Sequence, residues 1–141
     1  MADTAPTLKL THDGALKLVQ AGLAKALEIK ALENIVVVDA GGNMLAALRM
    51  DGANYHGMDT ALAKAKTAAG WGRPSGGMDP QVAIMQVVAT GGARINLPGG
   101  FPVVIDGKLA GAIGVGGGSG EQDIEVATAA LAAIAGAKTK F

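Results

Sequence analysis

Apolar residues are spaced along this chain in two distinct rhythms. Leu16, Val19, Leu23 and Leu27 recur at intervals of three and four, which predicts an amphipathic helix with these residues as its buried stripe. Thr11 stands where its N-cap belongs, and Asp13 falls in its first turn. The pattern then changes to a β-branched run, Ile35-Val36-Val37-Val38, which predicts a buried strand. Turn residues follow at Asp39-Ala40-Gly41-Gly42-Asn43, and Met44 to Met50 returns as the second strand of a hairpin. Asp51-Gly52-Ala53-Asn54 breaks regular structure.

A second helix is expected over Met58–Gly70, with Asp59 or Thr60 near its cap. Ala61, Ala65, Ala68 and Ala69 give it a close-packing face. Trp71 to Gly77 reads as a loop. Asp79-Pro80 is a helix start of cap followed by proline; the helix continues through Val82–Ala89 and stops at Gly91-Gly92. Pro102 to Val115 is the clearest hairpin, turning at Asp106-Gly107. Ser119 and Gln122 form a capping box for the last helix, whose first turns carry Glu121, Asp123 and Glu125. Ile124, Ala127, Leu131 and Ile134 are expected to be its apolar face. The predicted order is helix, hairpin, helix, helix, hairpin, helix. Two hairpins argue for an antiparallel sheet with helices packed on it rather than a doubly wound parallel sheet.

Composition narrows the function classes. A length of 141 residues predicts one domain over 1–141, with residues 1–9 a loose arm. The chain has no cysteine, which excludes disulfides, thiolate metal sites and cysteine nucleophiles. Twelve basic residues balance 12 acidic ones, and aromatics are 3%, so neither a phosphate-binding surface nor a base-stacking platform is expected and nucleic acid is not a predicted partner. Zero net charge with 50% apolar residues suits a homo-oligomer. The first residues show no basic or apolar targeting pattern, and no run approaches the roughly 18 apolar residues of a membrane helix, so the expected location is the cytoplasm.

Candidate chemistry gathers at two glycine-rich blocks and one histidine. Gly111 to Asp123 reads as a strand, a glycine turn and a helix start. There the backbone N–H groups of Gly117, Gly118 and Ser119 can hold a carboxylate, or the glycines can simply permit close packing. The block lacks the P-loop lysine and the parallel βαβ setting of a dinucleotide fingerprint. Leu97-Pro98-Gly99-Gly100-Phe101-Pro102 is the second block, with Gly99 and Gly100 as further ligand-binding candidates. His56, following Tyr55, can act as an axial ligand or as an acid and base near neutrality; the plainer alternative is an exposed loop histidine. His12 reads as a surface residue, and its separation from His56 makes no zinc spacing, so no metal site is predicted. The methionines read as core filler. Arg49, Arg73 and Arg94 are available to pair a substrate carboxylate.

Several of these segments together carry a resemblance. Val36-Val37-Val38-Asp39-Ala40-Gly41-Gly42, Arg49-Met50-Asp51-Gly52-Ala53, Ala63-Lys64-Ala65-Lys66-Thr67-Ala68, Leu97 to Pro102, Asp106-Gly107, Gly111-Ala112-Ile113-Gly114-Val115 and Asp123 occur in the order of the GlcG/HbpS-like family. That family includes the C-terminal domain of PduO-type proteins. The resemblance spans nearly the whole chain. It implies an α/β fold, a profilin-like sandwich with an antiparallel five-stranded sheet flanked by helices, and assembly into dimers or larger homo-oligomers. It also implies a small-ligand-binding protein with haem as a candidate cofactor, since some members bind haem. Gly116 departs from the serine that many members carry there, and no motif transfers a haem-ligating histidine to His12 or His56. A few members resemble lyases acting on hydroxylamino-aromatic acids. On that alternative, Tyr55 or His56 protonates the departing oxygen, Lys64 or Arg49 clamps the carboxylate, and Glu121 orients water. A third alternative is an accessory subunit whose glycines serve packing alone.

Overall fold

Both hairpins form, and their turns are local in origin. The computed structural model describes residues 2–141. Strands β1 (Asn34–Asp39) and β2 (Met44–Arg49) are joined by a turn in which the Asp39 carboxylate accepts from the backbone N–H groups of Gly41 and Asn43. Those bonds, with the Asn43 amide, hold the Asp39 carboxyl below its ordinary range. Strands β3 (Gly100–Ile105) and β4 (Lys108–Gly116) turn at Asp106 and Gly107. Both turn residues have positive φ, 50° and 74°, as a two-residue hairpin whose twist matches its strands requires.

The strands form one antiparallel sheet in the order β2-β1-β4-β3. It has four strands, so the expected count of five is not met. Beyond the β3 edge there is a single bridge, Ile105 to Ala137, after a turn at Gly136. One bridge cannot make a strand, and no extended apolar run follows it.

Helices cover both faces. Helix α2 (His56–Trp71) lies on one, packing Ala61, Ala65, Ala68 and Ala69 against Val36, Val38 and Ala112. Helices α1 (His12–Glu28) and α4 (Gly120–Leu131) lie on the other, over Ile35, Val37, Ile113 and Val115. Strand β1 is thus buried on both faces, which is why it reads as an unbroken apolar run. Helix α2 starts two residues before the expected Met58. Its N-cap position is neither Asp59 nor Thr60 but Tyr55, which makes no side-chain capping bond; Asn54 just ahead of it accepts from Gly57 N through Oδ1 at 2.7 Å. Helices α1 and α4 begin at Thr11 and Ser119 as expected, the latter with a complete capping box.

Two predicted apolar faces are corrected. The buried face of α1 is Ala15, Leu18, Val19, Gly22 and Ala26, while Leu16 and Leu27 are 50% and 62% exposed. A face built on alanine and glycine lets the helix approach the sheet closely; a Cβ on Gly22 would sit 2.9 Å from the Ile35 side chain. The face of α4 is Asp123, Val126, Ala127, Ala130 and Leu131, and Ile124 points outward. Ile134 lies beyond the helix and packs on the core edge.

Residues 2–7 are exposed, and the chain docks at Leu10, whose N–H donates to Ala110 O. Helix α3 (Pro80–Ala89) starts at the Asp79 cap as expected but stands apart from the core: only Ala83 is buried, and Ile84, Met85 and Val88 face outward. No described helix is long and apolar enough to cross a membrane.

Candidate functional site

Helix α2 has a different kind of site at each end. Its 16 residues span roughly 24 Å, with His56 at the start and Trp71 at the close.

At the His56 end the topology collects most of the residues singled out from sequence. β4 ends there at Gly116, leading into the glycine turn, and β2 ends there at Arg49, opposite Asn34 on β1. Tyr55, His56, Arg49 and Glu121 are all exposed. The His56 imidazole lies against the Tyr55 ring, 4.1 Å between centroids. Leu32 borders the same end, its exposed side chain beside Gly52 and its backbone carbonyl beside Gly117.

The glycine turn behaves unlike an open anion cradle, because the protein's own carboxylates fill it. Gly118 N donates to Glu33 Oε2 at 2.9 Å and to Asp123 Oδ1 at 3.2 Å, and Ser119 N donates to the Gln122 side chain. Packing explains the remaining glycines of the block. A Cβ on Gly114 would collide with the Ala61 carbonyl, and one on Gly118 would collide with Glu33 Oε1. Gly99 and Gly100 are buried in the same way. A Cβ on Gly99 would lie 2.7 Å from Val115 O, one on Gly100 would strike the Lys64 carbonyl, and Gly100 N already donates to Ser75 Oγ.

Beneath the turn lies a buried ionic cluster. Lys64 Nζ donates to Asp123 Oδ2 and to Val115 O, each at 2.7 Å. Lys64, Asp123 and Glu33 are all buried. Burial, with the hydrogen bond and charge of Asp123, pushes the Glu33 carboxyl up to about 8, against the opposing pull of Gly118 N and Lys64. At neutral pH Glu33 therefore keeps its proton, which avoids a second buried negative charge beside the Lys64–Asp123 pair. Lys64 is committed to this clasp rather than presented to a ligand. Glu33 and Asn34 were missed from sequence. Asn34 Nδ2 donates to Asn54 O and Gly116 O, tying β1 to the start of α2. The available signal was two polar residues directly ahead of the apolar run 35–38.

At the Trp71 end two arginines lack carboxylate partners among the described residues. Arg73 and Arg94 both lie over the Trp71 ring, with guanidinium carbons 3.6 and 5.1 Å from its centroid. Arg94 Nε is buried with no hydrogen-bond acceptor. It separates a cavity of about 600 Å³, between the 71–79 loop and α3, from one of about 430 Å³ beside Lys66 and Asn43. His12 is on the surface beside Asp13, and no described cluster of carboxylates and histidines could hold a metal ion.

Comparisons with known proteins converge. Residues 10–132 match the family model described as "Haem degrading protein HbpS-like". An uncharacterised 15.0 kDa protein from the dhaT-dhaS intergenic region of Citrobacter freundii is 40% identical over 127 residues, spanning 86% of this chain and 89% of that protein. The structure of Klebsiella pneumoniae protein ORFY superposes with a TM-score of 0.86 at 29% identity, covering 94% of this chain and 95% of that one. The structure of a PduOC:haem complex superposes with a TM-score of 0.84 at 26% identity, covering 95% and 100%.

Proposed function

Because this chain belongs to the HbpS-like family, we propose that it is a small-ligand-binding protein with haem as its first candidate ligand. The observation that carries the reading is a fold shared along almost its full length with a relative solved as a haem complex. The donor set agrees. His56 is exposed and lies against the exposed Tyr55 ring, so an imidazole donor and an aromatic surface lie together. His56 would hold the haem iron, and Tyr55 would lie beside the bound group. Haem bound there would supply an iron centre.

The test is a titration of haem into the purified protein, followed in the Soret region. A saturable spectral change that His56→Ala abolishes is the expected result. No change in the wild type rejects haem, and a change that survives His56→Ala rejects this ligand assignment.

Self-association is part of the same reading. Helix α3 carries no charged residue and turns Ile84, Met85 and Val88 outward, a surface suited to a second copy of the chain. The lyase alternative is not carried forward. None of the relatives supports it, and Lys64, its carboxylate clamp, is occupied by Asp123.

A further inference from the structure

We propose that the cavity between the 71–79 loop and α3 binds a small organic carboxylate through Arg94 and Arg73. Three observations at this end of the molecule converge, and none involves the His56 end.

The first is an unused donor. Arg94 Nε is buried without an acceptor. A buried guanidinium N–H that bonds to nothing forfeits its hydration with no return, and such groups are rare in native proteins. The Arg94 guanidinium joins no ion pair among the described residues, and a carboxylate in the cavity would give its terminal N–H groups a partner.

The second is charge. Two guanidiniums stand at one cavity, and its only acidic lining residue, Asp79, already accepts from Gln81 N and Val82 N as the cap of α3. No carboxylate of the described protein reaches either arginine. Both guanidiniums lie over the Trp71 indole, which holds their head groups together at the cavity. Planar guanidiniums match the two oxygens of a carboxylate better than a flexible ammonium would.

The third is shape. The cavity holds about 600 Å³, within the usual range for small-molecule sites, and Pro74, Met78 and Val82 give it an apolar wall. A bare inorganic anion would leave that wall uncovered. A carboxylate on a short apolar body satisfies both the arginines and the wall.

Trp71 is the chain's single tryptophan, so fluorescence excited at the long-wavelength edge, where Tyr55 does not absorb, reports on this site alone. The experiment titrates benzoate into the full-length protein and follows Trp71 emission. Benzyl alcohol, a neutral analogue, and inorganic phosphate, a bare anion, serve as parallel probes. The expected result is a saturable change with benzoate at a dissociation constant near or below about 1 mM. Arg94→Gln and Arg73→Gln should each weaken it about tenfold. Benzyl alcohol and phosphate should produce no saturable change in the same range.

Four outcomes overturn the proposal: no saturable response to benzoate, an equal response to benzyl alcohol, equal or tighter binding of phosphate, or wild-type affinity in both arginine variants. Circular dichroism checks that each variant is folded. Should Arg94→Gln fail that check, Arg73→Gln decides the matter, because the Arg73 side chain is exposed and no part of the core depends on it.

Discussion

The two ends of α2 carry similar residue types and have opposite characters. Near the start, a lysine, two carboxylates and backbone N–H groups bond mainly to one another, leaving Glu33 Oε1 and Asn34 Oδ1 as buried acceptors without a donor and no unpaired cation in the cluster. At the finish, two arginines and a tryptophan surround open space, and a buried donor goes unused. A polar group that its own protein satisfies holds the fold together; one that is left unsatisfied beside a cavity is available to a ligand. The glycine turn, which is the more suggestive feature in sequence, belongs to the first kind. Arg94, one of three arginines that the sequence offers as carboxylate partners, belongs to the second.

The contrast can be broken by removing one cation from each end. Lys64→Met leaves Asp123 buried without its partner and should cost about 3–5 kcal/mol of unfolding free energy in a denaturant titration. Arg94→Gln removes no internal ion pair and a stacking contact worth about 0.5–1 kcal/mol, so stability should fall by no more than about 1 kcal/mol. Equal losses at the two positions would erase the distinction.

A smaller effect sharpens the description of the clasp. The Glu33 carboxyl titrates near 8 when folded, against an ordinary value of 4.5 in the unfolded chain. Between those values the unfolded state binds fewer protons than the folded state. Stability contributed by neutral Glu33 is therefore complete below about pH 4.5 and is lost as pH rises toward 8. Glu33→Gln keeps an acceptor for Gly118 N and a donor toward Asp123 without a titrating proton. Thermal melts from pH 5 to pH 9 should show the wild type losing stability with rising pH and the variant much less so. Parallel curves would mean that Glu33 is ionised in the folded protein.

The mildest expected effect on folding concerns α3. Val88 is 77% exposed, so Val88→Lys should change unfolding free energy by less than about 0.5 kcal/mol. If a second copy covers this helix, the same substitution lowers the apparent mass in size-exclusion chromatography with light scattering. An unchanged mass would remove α3 from the interface.

Much of the scaffold was legible from sequence because its signals are short-range. The element order, the Asp106-Gly107 turn, the Asp79-Pro80 helix start and the Ser119–Gln122 box all depend on contacts within a few residues. Helix faces were read less well. Counting leucines on α1 selected Leu16 and Leu27, whereas the helix packs through Ala15, Gly22 and Ala26, because close approach to the sheet favours small side chains over large ones. For the candidate site, Arg49, Tyr55, His56 and Glu121 are exposed, while Lys64, expected to clamp a carboxylate, is buried.

By itself, the sequence determined the hairpins, the caps, the central apolar strand and the family, since each is encoded in local sterics, local hydrogen bonding or ordered blocks of residues. The tertiary structure alone decided what the polar residues do. Lys64 and Asp123 are 59 positions apart, and Glu33 and Gly118 are 85 apart. Pairing β1 beside β4 brings these groups under the glycine turn, and no comparable pairing reaches Arg94. Whether a charged side chain ends as a clasp or as a waiting contact depends on which distant neighbour the sheet order delivers to it, and local sequence carries no record of that neighbour.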